Sequence, residues 1–218
     1  SLVHDDLPEM DNDMYRRGML TTHAAYGADV AVLTGDGLLN YAYETVIKAC
    51  LEAEPDSVAL MIKAMDILAS KAGVYGMVGG QTVDVTKTGQ NLTDEEIDFI
   101  HAHKTGALLE AALMVGAVLA GADDDSIRKI GIVANKVGIA FQIKDDILDV
   151  TSSSEVLGKP VHSDAEKNKV TYVTIHGLEE SKQNALKLVD DAEAIFDELN
   201  LKGDFLKQIL KYLVDRKN

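Results

Sequence analysis

The sequence predicts an all-α protein. Long stretches place apolar residues at three- and four-residue spacing, and no alternating strand pattern of useful length is present. Only three prolines occur, at positions 8, 55 and 160, so long uninterrupted helices are sterically permitted. With 218 residues, of which 46% are hydrophobic, we expect a single domain with one sizeable core.

Apolar periodicity and breaker residues divide the chain into successive helices. The predicted helices cover 22–54, 57–72, 93–119, 125–150, 171–199 and 204–214. Thr93 and Glu96 form a capping-box signature, and Gly177 is a candidate break within its helix. The glycine-rich stretch 73–88 keeps a helical periodicity. The polar segments predicted as loops are 12–22, 89–91 and 152–169, the last of them mobile.

The composition limits the possible binding partners of the protein and its possible cellular compartment. The formal net charge of −15 argues against nucleic acid and anionic membranes, because both require basic surfaces. Cys50 is the only cysteine, which excludes an intramolecular disulfide and favours a reducing compartment, the cytoplasm. The apolar stretch Gly106–Ala122 is interrupted by Glu110 and is too short for a comfortable span of ~20 residues. We therefore expect this stretch to form a buried core helix.

Two aspartate-rich clusters give the strongest chemical signal, DDLPEMD at 5–11 and DDILD at 145–149. Carboxylates this close repel one another unless a cation joins them, and Mg²⁺ is often held by one or two carboxylates together with substrate phosphates. Pro8 ends or kinks a helix, so a turn should bring Asp11 back toward Asp5 and Asp6.

The second cluster is predicted to lie near the end of a helix, where Asp145 and Asp149 share a face. A solvated helix face would explain the same pattern. The helix macrodipole disfavours acidic groups at this end, however, and that favours a functional role.

Basic and hydroxyl residues accompany the clusters. Arg16 and Arg17 provide forked donors suited to phosphate oxygens, although they would also neutralise the nearby acids. Lys104 and Thr105 form a second phosphate-binding candidate, with a snorkelling lysine as the alternative. Lys159 lies in the predicted mobile loop, where lysines could close over a diphosphate and exclude water.

In sequence order, these stretches resemble the bacterial trans-isoprenyl diphosphate synthases, the polyprenyl synthetase family that includes farnesyl and geranylgeranyl diphosphate synthases. The matching stretches are HDDLPEMDNDMYRRG at 4–18, TGDGLL at 34–39, GMVGGQTVD at 76–84, HKTGALL at 103–109, FQIKDDILD at 141–149, GK at 158–159 and NKVTY at 168–172. The resemblance covers nearly the whole chain. It implies an isoprenoid synthase bundle of helices around a central cavity, and a homodimer.

The resemblance also implies a Mg²⁺-dependent prenyltransferase with three metal ions, for which Mn²⁺ can substitute. Asp5 and Asp11 would bind two ions and Asp145 the third. Asp6, Asp146 and Asp149 would act in support. The metals and basic side chains would stabilise a departing diphosphate, and the allylic cation formed would be attacked by the double bond of isopentenyl diphosphate.

The implied substrates are isopentenyl diphosphate and an allylic diphosphate, dimethylallyl or geranyl. The residues implied for the allylic diphosphate are Arg16, Lys104, Lys159 and Lys169. Thr105 and Gln142 would lie near the reacting carbon, and Arg17 would contact isopentenyl diphosphate. The spacer containing Pro8 resembles the farnesyl synthase form, so we expect farnesyl diphosphate as product, with geranylgeranyl diphosphate as the alternative.

One departure from the family concerns its basic motif of the GKRxRP type, which lies upstream of the first cluster. That motif is absent from the sequence. We therefore expect an N-terminal segment to be missing from the 1–218 synthase domain, and the piece to have little activity alone.

Three other interpretations compete with the synthase. A terpene cyclase shares the metal chemistry, but its second motif usually follows an Asn/Ser/Glu pattern, unlike the second DDxxD here. A non-catalytic prenyl synthase-like subunit tends to lose one aspartate cluster, whereas both are intact. A simple acidic cation-binding protein leaves Lys104, Thr105, Gln142 and the paired arginines unexplained.

Overall fold

The computed structural model describes residues 1–151, 170–199 and 204–215. The chain forms two compact units, Ser1–Met61 and Ile62–Asn218. Each unit is predominantly helical, so the predicted all-α class is confirmed. The single domain remains a prediction from the sequence.

The first unit contains α1 (Leu2–Asp5), a short hairpin, α2 (Thr22–Tyr26), α3 (Ala28–Glu52) and the start of α4 (Pro55–Ala72). The single helix predicted over 22–54 is wrong in one respect, because the chain breaks at Gly27. Gly27 has φ +99°, a backbone conformation that glycine adopts without steric penalty. A separate helix therefore begins at Ala28.

The hairpin lies inside the segment predicted as a loop. It pairs β1 (Tyr15–Arg16) with β2 (Met19–Leu20), antiparallel. Arg17 and Gly18 form its turn with φ values of +54° and +77°, as a two-residue hairpin turn requires. Strands of two residues are too short to show an alternating pattern, which is why the sequence did not reveal them.

The second unit continues α4 and adds a series of helices around a long central one. These are α5 (Met77–Lys87), α6 (Asp94–Ile100), a π-helix (His101–Gly106), α7 (Ala107–Leu119), α8 (Asp124–Thr151), α9 (Tyr172–His176), α10 (Leu178–Asp197) and α11 (Phe205–Asp215). The capping box at Thr93 and the break at Gly177 are both confirmed.

Helix α8 is the centre of the second unit and packs against α7 and α10. Val133, Val137 and Ala140 of α8 form a buried cluster with Ala192 and Phe196 of α10. Because one face of α8 is buried along most of its length, the side chains at its C-terminal end are held by tertiary packing.

The helix predicted over 93–119 is continuous but contains the π-helical turn. Glycines on the two neighbouring helices allow close packing against this turn from both sides. A Cβ at Gly80 of α5 would lie 2.8 Å from the His103 carbonyl carbon, and one at Gly138 of α8 would lie 2.6 Å from the Gly106 Cα. The paired glycines of 79–80 therefore include one close helix contact. Single π-helical turns are frequent at functional sites.

The segment Asp94–Leu119 is long and apolar enough to cross a membrane by length and composition alone. A single such segment among the described residues is weak evidence, since core helices of water-soluble proteins pass the same test. Ala107, Ala111 and Val118 are buried, and Glu110 pairs with Lys71 of α4 at 2.5 Å. One face of α7 is therefore buried as the sequence predicted, whereas Ala112 and Leu119 are exposed.

Candidate active site

The first aspartate cluster forms a closed turn. The Asp11 N–H donates to the Asp5 carbonyl at 2.9 Å, and the Met10 N–H donates to the Leu7 carbonyl at 2.9 Å. The predicted return of Asp11 toward Asp5 is thus confirmed for the backbone. Asp5 and Asp11 are both half-buried, so their side chains keep access to solvent.

Asp6 has a different environment from its neighbour Asp5. It is only 4% exposed, and Arg16 Nε donates to its two oxygens at 2.8 and 3.0 Å while Arg16 Nη2 lies 2.5 Å from Oδ1. This hydrogen bonding raises the pKa of the Arg16 guanidinium further above its usual value. The other guanidinium contact is weaker, with Nη2 3.9 Å from Asp5 Oδ2. Arg16 therefore neutralises the first cluster, which leaves its predicted phosphate role open.

The second cluster lies on the last turns of α8. Asp145 is half-buried, whereas Asp146 and Asp149 are 6% and 4% exposed. The Tyr172 N–H donates to Asp146 Oδ2 at 2.8 Å, which fixes this carboxylate against the start of α9. A carboxylate that accepts a buried backbone N–H is directed away from solvent and serves as a structural acceptor.

A cavity of about 90 Å³ lies beside the π-helix in the second unit. Its polar lining comes from α5, the π-helix, α8 and the residue that caps α9: Asp84, His101, Lys104, Thr105, Gln142, Asp146 and Thr171. Lys104 Nζ donates to Asp84 Oδ2 at 2.6 Å, and Thr105 Oγ1 donates to Gln142 Oε1 at 2.8 Å. Cationic, hydroxyl and amide groups thus converge on one small space.

His101 is a buried histidine at the start of the π-helix, 5% exposed. Burial lowers its pKa to about 4, against a smaller raising effect of Asp84. The ring is therefore neutral at pH 7. The distance of 3.7 Å between His101 Nε2 and Asp146 Oδ2 is too long for a hydrogen bond. Nδ1 has no hydrogen-bond partner among the described residues.

The cavity brings together four of the residues predicted for the site, Lys104, Thr105, Gln142 and Asp146. Arg17 is exposed at the hairpin turn. Lys159 and Lys169 lie outside the described residues.

Sequence reasoning missed three polar residues of the cavity, Asp84, His101 and Thr171. Asp84 ends the GGQTVD stretch, and a carboxylate at that position is the signal that could have identified it. His101 has no such signal, because burial cannot be seen in the sequence.

The donor chemistry of the clusters suits Mg²⁺. Carboxylate oxygens are hard ligands, and Mg²⁺ usually keeps waters and substrate phosphates beside one or two carboxylates. Within the part of the chain that the structure describes, no group of three or more His, Cys, Asp or Glu side chains forms a preassembled metal cage. Asp5 and Asp11 in the first unit, and Asp145 in the second, are half-buried carboxylates that suit ions whose remaining ligands come from water and phosphate.

Comparison with known proteins gives a consistent result. The polyprenyl synthetase family profile matches residues 1–209. A geranylgeranyl diphosphate synthase from Cyanophora paradoxa is 43% identical over all of this chain and 72% of its own length. A farnesyl diphosphate synthase from Geobacillus stearothermophilus is 40% identical over 99% of this chain and 72% of its own. Among the curated relatives, the share of their length that the chain spans falls as low as 52%.

A solved structure agrees with this relationship. The geranyltransferase from Helicobacter pylori, complexed with magnesium and isoprenyl diphosphate, superposes with a TM-score of 0.83 at 34% identity. The match covers 98% of this chain and 69% of that one, so the all-α isoprenoid synthase fold is shared. The chain therefore belongs to the polyprenyl synthetase family of trans-prenyltransferases.

Proposed function

We propose that the protein containing this chain condenses an allylic diphosphate with isopentenyl diphosphate head-to-tail in a Mg²⁺-dependent reaction. The observation that supports this most is the division within the adjacent aspartate pair of each cluster, where the first member is accessible and the second is buried. Asp5, Asp11 and Asp145 are half-buried, whereas Asp6, Asp146 and Asp149 are buried. The accessible set is the one that the family resemblance assigns to metal ions.

Asp5 and Asp11 would hold two Mg²⁺ ions and Asp145 the third. When bound, these ions would neutralise charge that develops on the departing diphosphate. The relative from Helicobacter pylori contains magnesium and isoprenyl diphosphate, which supports the choice of ion and ligand class. The number of ions is part of the proposal.

The basic residues would bind the allylic diphosphate. Lys104 is held by Asp84 at 2.6 Å, so its ammonium group is already fixed at the cavity before a phosphate arrives. Arg16 is fixed in the same way by Asp6. Such preorganisation reduces the entropy lost on binding. Lys159 and Lys169 would complete this set, and Arg17 would bind isopentenyl diphosphate.

Thr105 and Gln142 would stabilise positive charge on the allylic carbon. Their hydrogen bond at 2.8 Å orients both oxygen dipoles, so little reorganisation is needed during the reaction. Leu92, Ile97 and Ile100 provide apolar lining, which would limit the access of water to a reactive cation.

Farnesyl diphosphate is the product we propose, because of the Pro8-containing spacer, and geranylgeranyl diphosphate is the alternative. The relatives support both, since they include synthases of each kind at 40% and 43% identity.

We also propose a cytoplasmic homodimer. Helix α3 exposes several large apolar side chains that an interface would bury: Leu33, Leu38, Leu39, Tyr41, Ile47 and Leu51.

An incorporation assay tests the function. Radiolabelled isopentenyl diphosphate would be supplied with dimethylallyl or geranyl diphosphate and Mg²⁺, and the product sized by chromatography. We expect a C15 product that disappears when the metal is chelated. A C20 product would establish the geranylgeranyl alternative, and no incorporation by the folded full-length protein would favour a non-catalytic subunit.

A further inference from the structure

His4 lies directly against helix α3, although it precedes the first aspartate cluster in sequence. Its Nε2 donates to the Val32 carbonyl at 3.1 Å and lies 3.5 Å from Asp36 Oδ1. A helical carbonyl has a second lone pair, so it can accept this bond in addition to its own helical bond. The contact therefore joins α1 to α3 within the first unit.

The ring of His4 lies over Gly35, which is buried in α3. A Cβ added at Gly35 would lie 2.7 Å from His4 Cε1 and even closer to Nε2 and Cδ2. Only glycine leaves room for the ring in this position. Gly37, on the same helix two residues later, is exposed and would place a Cβ in open space.

The position of His4 determines the position of the aspartate turn. Asp5 follows it in the chain, and the His4 carbonyl accepts the Leu7 N–H at 3.2 Å. The Asp11 N–H then closes the turn on the Asp5 carbonyl. A side chain that anchors His4 to α3 thus also anchors the backbone from which the predicted metal ligands extend.

We propose that Gly35 provides the space in which the His4 ring packs, and that His4, through its bond to the Val32 carbonyl, is a positioning residue for the first aspartate cluster. This gives a role to the TGDG stretch at 34–37, which the proposed active site does not otherwise use. The inference rests on the proposed function for its catalytic consequence, but the packing contact can be tested without it.

The experiment compares four variants of the full-length protein: Gly35→Ala, Gly37→Ala, His4→Ala and the double variant His4→Ala/Gly35→Ala. Gly35→Ala displaces the ring without changing His4 itself. A displacement of about 1 Å in a catalytic group can cost about 100-fold in rate, so we expect a loss of this order in turnover. The Mg²⁺ concentration for half-maximal rate should rise as well. His4→Ala should show the same loss, and Gly37→Ala should retain wild-type turnover.

Thermal unfolding provides a readout that needs no activity. Gly37→Ala should raise the melting temperature, because alanine is the better helix former. Gly35→Ala should lower it in the wild-type background and raise it when His4 is already alanine. This reversal of sign identifies the clash with His4 as the cause. The double variant removes the clash, so it should fold even where Gly35→Ala alone does not.

Two replacements of His4 separate its hydrogen bond from its bulk. Glutamine keeps an N–H donor on a side chain of similar length, whereas phenylalanine keeps a ring without a donor. We expect His4→Gln to retain more turnover than His4→Phe, and full turnover in His4→Phe would overturn the hydrogen-bonding role.

The packing role of Gly35 would be overturned if Gly35→Ala behaved like Gly37→Ala, or had the same thermal effect with histidine and with alanine at position 4. A wild-type protein that makes no prenyl product would instead contradict the proposed function. The thermal comparison would still decide whether the His4 ring packs against Gly35.

Discussion

In both aspartate-rich clusters the first member of the adjacent pair is accessible and the second is buried, but the two pairs lie in different local structures. In the first, a proline-containing turn presents the accessible aspartates, and Arg16, ten residues away, holds Asp6. In the second, a rigid helix presents Asp145, and the backbone of Tyr172, 26 residues away, holds Asp146. The first arrangement is secured by a nearby ion pair, and the second depends on the docking of α9 against α8.

Within each cluster, the accessible and the buried aspartates should have different roles. The accessible aspartates should govern catalysis, and the buried ones should govern folding. Substitution of one aspartate at a time tests this division of roles.

The largest expected effect is on turnover. Asp5→Ala and Asp145→Ala should each lower kcat/KM by about 1000-fold, because a lost metal ligand removes about 4 kcal/mol of transition-state stabilisation. Steady-state incorporation of isopentenyl diphosphate measures this. Glu9→Ala is the matched control, since Glu9 is an exposed carboxylate within the first cluster's spacer. Near-normal turnover in either variant would remove that residue from the metal site.

The next effect is a pH dependence of stability in the second unit. His101 has a pKa of about 4 when folded, below its ordinary value of 6.5, because burial disfavours the charged ring. Between these two pH values the His101 ring binds a proton in the unfolded chain but not in the folded protein. The free energy of unfolding should therefore fall by about 3 kcal/mol as the pH drops through this window, and should be insensitive to this group above it.

His101→Gln tests this contribution, because glutamine does not titrate. Denaturant unfolding from pH 7 to pH 4 should show a shallower loss of stability than in the wild-type protein. His103→Gln is the control two residues away, where the ring is half-buried and stacks on Phe99 with centroids 4.0 Å apart. An unchanged pH slope in His101→Gln would show that other groups cause the acid sensitivity.

The smallest effect concerns the buried aspartates. Asp146→Ala would leave the buried Tyr172 N–H without this acceptor, at a cost of about 2 kcal/mol in the free energy of unfolding. Asp6→Ala should cost a similar amount, about 2 kcal/mol, by removing the hydrogen-bonded partner of Arg16.

Asp5→Ala and Asp145→Ala should cost less stability, since these half-buried carboxylates remain partly solvated, whereas Asp6 and Asp146 are buried. Chemical denaturation of all four variants checks the ranking. Asp146→Asn keeps an acceptor for the Tyr172 N–H and should recover part of the loss. An equal loss in all four alanine variants would contradict the division between accessible and buried members.

The helical class, most helix positions and the two metal-binding candidates could be predicted from the sequence alone. These features depend on local information: the 3.6-residue period, breaker residues, and acidic groups that are adjacent in the chain. The turn that returns Asp11 to Asp5 was also predictable, because Pro8 restricts the backbone of its neighbour whatever the tertiary context.

Tertiary packing, which the sequence does not show, sets which aspartate of each pair is buried and places His101 and Asp84 at the cavity. Burial depends on which elements pack together, as the Tyr172 N–H against Asp146 illustrates. The close approaches at Gly35, Gly80 and Gly138 follow the same rule, since the sequence shows that a side chain is missing but not what occupies its space. Those contacts join residues distant in the chain, and no local periodicity encodes them.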